Sequence, residues 1–210
     1  MKQNKIVLST TLLMGLLLAF FIFSWYQQQD TSAISANKNQ LEREYSASFG
    51  PENAKVTIVE FFDPACETCR AFYPFVKKIM NEHPDDIRLV MRYAAFHSGS
   101  DEVVLMLEAA RRQGLYKEVL VSILAGQSSW ASHSEPNLPY VWTIAENAGL
   151  DIAKAREDIK DPQIIKILEQ DMADVKSLGV QKTPTFFVNG NPLESFGSQQ
   201  LYDLVQSELK

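Results

Sequence analysis

The sequence predicts an α/β domain interrupted by a helical block and preceded by a single membrane-spanning helix. Three observations carry that reading. Val56–Phe62 is a short apolar run with β-branched members, the composition of a strand buried on both faces. After a second run, Ile87–Ala95, the pattern stays helical for a long way, and strand signals return only near the C-terminus. At the other end, Ile6–Tyr26 carries no charge and, as a helix rising 1.5 Å per residue, would reach about 31 Å, close to the ~30 Å hydrocarbon thickness.

Lys2 and Lys5 precede that stretch and Trp25 and Tyr26 close it. Positive charge on the near side keeps a short N-terminus in the cytoplasm, with the aromatic pair at the far interface. A cleaved signal peptide is the rival reading, but its apolar region usually runs about 7–15 residues. The one small-residue cleavage candidate, Ala33-Ile34-Ser35, lies well past the apolar run. Both readings export everything after Tyr26. Residues 1–27 are accordingly read as the cytoplasmic N-terminus and signal-anchor, and 28–48 as a polar tether with one weak helical turn around Leu41–Tyr45.

Composition narrows the rest. Apolar residues at 46% can build a core, which excludes wholesale disorder, and a net charge of −6 gives no reason to expect nucleic acid as a partner. Two cysteines exclude both a disulfide scaffold and a zinc cluster built from thiolates.

After Val56–Phe62 a helix aligns Phe72, Phe75, Val76, Ile79 and Met80 on one face. Following Ile87–Ala95, Ser100 reads as an N-cap, with Asp101 and Glu102 in the first turn and a stripe of Val103, Val104, Leu107 and Ala110. Arg111 and Arg112 suit the negative helix end, and Gly114 stops the helix. Further helices are expected at Leu115–Leu124, Leu138–Ala148 and Ile152–Ile159, with Trp130–Pro139 as a loop. Asp161 and Pro162 then open a helix carrying Ile164, Ile165, Leu168, Met172 and Val175. Thr185–Val188 and Pro192–Phe196 flank Asn189-Gly190, a hairpin signal, and Pro192 places the second strand at an edge. A last helix, capped by Ser198, turns Leu201, Leu204, Val205 and Leu209 inward.

The chemistry sits in Cys66-Glu67-Thr68-Cys69, where the first strand gives way to the first helix. A thiol at a helix N-terminus faces free N–H groups and the positive end of the macrodipole, which favour thiolate, the nucleophile of disulfide exchange. Cys66 is the expected exposed attacker. Cys69, about one turn on, resolves the mixed disulfide by attacking Cys66. Three other readings stand beside this one. A structural staple across so small a loop would stabilise by only about 2 kcal/mol. A metal site would need His83, His97 or His133, none of which has ligand spacing to the pair, so those three are read as surface or loop histidines. Chance is the third. No metal and no cofactor are expected.

Gly50–Asp63 leading into Cys66 and Cys69, together with Gly179–Gly190, resembles the DsbA-like branch of the thioredoxin superfamily over residues 49–210. The resemblance implies a thioredoxin fold formed by 49–97 and 162–210, with 98–161 as its helical insertion. It implies Cys66 as nucleophile, Cys69 as resolving cysteine, and Thr183-Pro184 as a cis-proline loop that binds substrate backbone. Pro74 matches a proline in the first helix of this superfamily; a plain helix kink is the other reading. Glu60 lies within an apolar strand, where a carboxylate without a partner is costly. It matches an acidic residue kept beneath the active site, and as such would exchange a proton with Cys69. The alternative is a strand-end carboxylate reaching solvent.

Glu67-Thr68 stands where strong oxidases of this family have Pro-His. Like charge next to a thiolate raises the thiol pKa, so a weaker oxidant is expected, with Lys182 partly offsetting Glu67. Thr183 also occurs in reducing and isomerising members. The expected function is therefore a membrane-anchored, extracytoplasmic thiol–disulfide oxidoreductase, donating disulfides to exported proteins with free or mispaired cysteines. Its location would be the cell inner membrane, with the catalytic part in the periplasm or a similar space. The resemblance implies re-oxidation by a DsbB-like, quinone-linked membrane oxidase. A reductase or isomerase served by a membrane reductant is the alternative, and a soft-metal chaperone is an alternative from another class. No dimerisation segment stands out, so a monomer is expected.

Overall fold

Val56–Phe62 forms strand β2, the centre of the sheet, and every residue in it but Thr57 is buried. The computed structural model describes residues 38–210 other than His133, and Lys38–Lys210 form one unit. The expected membrane span at Ile6–Tyr26 lies outside the described residues, as does His133. Among the described residues no helix is long and apolar enough to cross a membrane.

Strand β2 pairs in parallel with β3 (Ile87–Tyr93), from Val56 opposite Ile87 to Phe62 opposite Tyr93. Its other edge pairs antiparallel with β4 (Thr185–Val188). Two short strands complete the order β1-β3-β2-β4-β5: β1 (Ser48–Phe49) against β3, and β5 (Asn191–Pro192) against β4. Such an order, with the parallel pair joined through helix α2 (Glu67–Glu82), is a thioredoxin fold. Asn189 and Gly190 adopt φ of 48° and 87°, as a type I′ turn requires. The hairpin is as expected, but its second strand ends at Pro192 rather than Phe196.

Residues expected in the tether instead join the domain. Helix α1 (Lys38–Leu41) buries Leu41, and β1 lies along β3. Gly50 follows β1 with φ 94°, where a Cβ would overlap the Ile87 carbonyl oxygen. The hold on this arm is electrostatic. Arg92 of β3 is fully buried and donates to the Gln40 and Leu41 carbonyls. Its guanidinium lies 2.8 Å from Asp171 and 2.6 Å from Asp174, both on α8 (Pro162–Ser177). Arg43 grips Asp174 with two hydrogen bonds of 2.8 and 2.7 Å, and the Tyr45 hydroxyl donates to Asp171 at 2.7 Å.

The helical block consists of α3 (Ser100–Arg112), α4 (Tyr116–Ala125), α5 (Gln127–Trp130), α6 (Leu138–Asn147) and α7 (Ile152–Asp158). Its core is continuous with that of the sheet: Ile58, Leu89 and Met91 belong to the same apolar cluster as Leu107, Ile123 and Trp142. Asp161 caps α8 as expected, accepting from Gln163 N at 2.8 Å. Three local expectations need correction. Ser100 does not cap α3; Gly99 holds that position and the Ser100 hydroxyl is drawn away to Asp63. Ser198 is the first residue of α9 (Ser198–Glu208), behind Gly197, with no side-chain cap. Ile165 is exposed, because the inward face of α8 is given partly to the two aspartates. The expected loop from Trp130 is also shorter, since Trp130 is buried at the end of α5 and donates to Ile123 O at 3.0 Å.

Candidate active site

Parallel strands β2 and β3 end side by side, and in open α/β sheets the loops beyond such ends build ligand sites. The chain turns there through Asp63-Pro64-Ala65 and enters α2. Cys66 is the N-cap of that helix, with extended backbone (φ −72°, ψ 118°) and its sulfur accepting from the Cys69 amide at 3.4 Å. That is the capping position in which Ser or Asp satisfies the orphan N–H groups. A thiol there has the same donors available to stabilise its anion, so the sequence places the sulfur where ionisation is easiest.

The pKa of Cys66 is lowered to about 5. The hydrogen bond with the Cys69 side chain is the largest cause, opposed by burial and assisted by the Thr183 side chain and the Cys69 and Thr68 amides. The Thr183 carbonyl, 3.3 Å away, accepts from the thiol and favours the protonated form. Expected to be exposed, Cys66 is in fact only 6% exposed, because the turn and the Thr183 carbonyl cover it. Cys69 has no exposure, and burial pushes its thiol far up, assisted by Cys66 and by the charge of Glu60. Both cysteines are free thiols.

Glu60 sits in the middle of β2, opposite Met91 on one side and Phe186 on the other, and is 1% exposed. Neither carboxylate oxygen has a hydrogen-bond partner among the described residues. Burial, and secondarily the charge of Cys66, raise its pKa to about 8. It is not a strand-end carboxylate reaching solvent. The Thr183–Pro184 bond is cis, Pro184 is buried, and the loop brings the Thr183 carbonyl to Cys66. Glu67 and Lys182 are both exposed, and neither is among the leading influences on Cys66.

Two residues here escaped the sequence reading. Asp63, fully buried, gathers Ala65 N, Phe96 N, His97 N, His97 Nδ1 and the Ser100 hydroxyl. His97, read as a plain loop histidine, is therefore tied to the active-site turn. Gln127 of α5, 1% exposed, donates to the Pro64 and Cys66 carbonyls. The Asp63-Pro64 turn in front of the cysteines was a signal for the first; nothing local in the sequence points to the second.

A dithiol at the start of α2, beside a cis-proline loop on a thioredoxin sheet, is an arrangement able to carry out thiol–disulfide exchange. A family model described as Thioredoxin matches residues 42–207, and the chain belongs to that family. Among solved structures it is similar to a thioredoxin-like oxidoreductase from Silicibacter pomeroyi DSS-3, with a TM-score of 0.71 and 29% identity over 82% of this chain and 97% of that one. Among curated proteins it is 31% identical over 144 residues to the Na(+)/H(+) antiporter NhaA of Herminiimonas arsenicoxydans, covering 69% of this chain and 22% of the antiporter. The chain thus spans about a fifth of the length of the antiporters it matches. Disulfide bond formation protein D of Bacillus subtilis strain 168 is 26% identical over 180 residues, 77% of this chain and 76% of that protein.

Proposed function

We propose that the protein donates disulfides to exported polypeptides, with Cys66 as the reacting sulfur, Cys69 as its partner and Glu60 as the proton carrier. In the oxidised enzyme a substrate thiolate attacks the Cys66 sulfur and the Cys66–Cys69 bond breaks. Cys69 leaves and takes a proton from the Glu60 carboxyl. A second substrate thiolate then attacks the substrate sulfur of the mixed disulfide, forming the substrate disulfide and expelling Cys66 as thiolate. Two electrons pass from substrate to enzyme. Thr183 and Pro184 would align the substrate backbone. Phe72, one turn beyond Cys69, stacks on half-exposed Phe196 at 4.7 Å, an apolar surface suited to unfolded clients.

The observation that carries this reading is the N-cap position of Cys66, which makes its thiolate a good leaving group. The reading extends to a signal-anchor at Ile6–Tyr26, residues 49–97 and 162–210 as the catalytic domain with 98–161 inserted, and a monomer facing an oxidising compartment. A quinone-linked membrane oxidase would restore the disulfide. Exchange of Cys69 for serine tests it in cells. Cys69→Ser should accumulate mixed disulfides on Cys66 with cysteine-containing exported proteins. Capture of a membrane reductant alone would replace this reading with a reductase, and stoichiometric metal on the reduced wild type without exchange activity would replace it with a metal carrier.

A further inference from the structure

The geometry points to Gln127 and Asp63 as positioning residues for exchange, gripping the 63–66 turn from two sides so that the first amides of α2 stay aimed at the Cys66 sulfur. The inference rests on the reading of Cys66 as the reacting sulfur.

Gln127 reaches the turn from the helical block, far away in sequence. Its Nε2 donates to Pro64 O at 2.8 Å and to Cys66 O at 3.0 Å, while its Oε1 accepts from Arg70 Nε at 2.9 Å. A carboxamide is the neutral side chain that offers two donors and an acceptor in one plane, and all three are engaged. On the opposite side Asp63 Oδ1 takes Ala65 N at 2.8 Å, and Oδ2 takes Phe96 N and His97 Nδ1, each at 2.8 Å. The turn is thus held by its carbonyls from α5, while Asp63 binds the Ala65 amide within the turn and is itself anchored by donors of the β3–α3 loop. Gln127 has no hydrogen bond to the sulfur itself, so it acts through the backbone that carries Cys66 and the first turn of α2.

The contact being protected is a weak one. An N–H···S hydrogen bond of 3.4 Å tolerates little rotation of the turn before it is lost. Removing two donors from buried carbonyls leaves those carbonyls free to swing toward water. Asp63→Asn would disturb the Ala65 amide and the β3–α3 loop together, so Gln127, which grips the turn from outside, is the cleaner probe.

The test is the pH dependence of Cys66 alkylation in the reduced full chain, measured for wild type, Gln127→Met, Gln127→Ala and Gln127→Asn alongside thermal unfolding. Gln127→Met keeps the volume and the neutrality and loses both donors. Its midpoint should rise by about half to one pH unit, with about two- to fivefold slower alkylation near pH 5. Gln127→Asn, with the amide on a shorter stem, should fall between Met and wild type. A purely structural role would lower the unfolding temperature and leave the midpoint unmoved in all three, and that result overturns the inference. A wild-type midpoint like that of free cysteine would instead overturn the functional reading on which it rests.

Discussion

At the scale of single residues, Glu60 and Cys66 depart from ordinary behaviour in opposite directions, with opposite consequences for stability. Folded Glu60 keeps its proton to about pH 8, whereas the unfolded carboxyl loses it near 4.5. The native state then binds more protons over that interval, so stability falls as pH rises through it. Reduced Cys66 loses its proton near 5 when folded and near 9.0 when unfolded, so its contribution grows over that range. The disulfide form has only the first effect, carried there by burial without the Cys66 charge. At about 1.4 kcal/mol for each pH unit of displacement, the oxidised wild type should be less stable at pH 9 than at pH 5 by a few kcal/mol. Glu60→Gln should remove that loss. Urea unfolding of both oxidised proteins at the two pH values checks this, and a wild type equally stable at each would show that Glu60 titrates like a solvated acid. Glu67→Ala, an exposed site, should leave the Cys66 titration nearly in place, in contrast to the sequence expectation that Glu67 tunes it.

At the scale of elements, the N-terminal arm, β3 and α8 are joined by Arg92, Asp171 and Asp174. Removing one member leaves charge buried without compensation, which typically costs about 3–5 kcal/mol, or about 6–20 °C in a domain of this size. Asp171→Ala should therefore melt well below wild type, and an unchanged melting temperature would contradict this account of the arm. The network also marks where the sequence was readable. Strands β2 and β3, helix α2 and the Asn189-Gly190 turn were legible because apolar periodicity and turn chemistry are local signals. Asp171 and Asp174 were not, since a charged pair on a helix normally signals a solvated face and only the buried Arg92, about 80 residues earlier, reverses that meaning. The Ser100 cap failed for a related reason: a hydroxyl serves a distant carboxylate as readily as its own helix. The cysteines and Thr183-Pro184 were legible as motifs, Glu60 as a carboxylate out of place in an apolar strand. Asp63 and Gln127 act only through folded geometry.

For the molecule as a whole, the turn that carries Cys66 leaves the sheet and is bonded by Gln127 of the helical block, across one continuous core. Redox poise follows from that assembly. Cys66 at about 5 lies between the type oxidase of the family, about 3.5, and thioredoxin, about 7. The reduction potential should accordingly fall between about −120 and −270 mV, weaker as an oxidant than the former. Equilibration with glutathione measures it, and a value at or above −120 mV would contradict the assignment. The most direct measurement of all is a titration of thiolate ultraviolet absorbance in the reduced protein, with Cys66→Ser as the blank. A single ionisation centred near pH 5 is predicted for Cys66; a midpoint near 9.0, the value without any influence from the helix, would contradict the account.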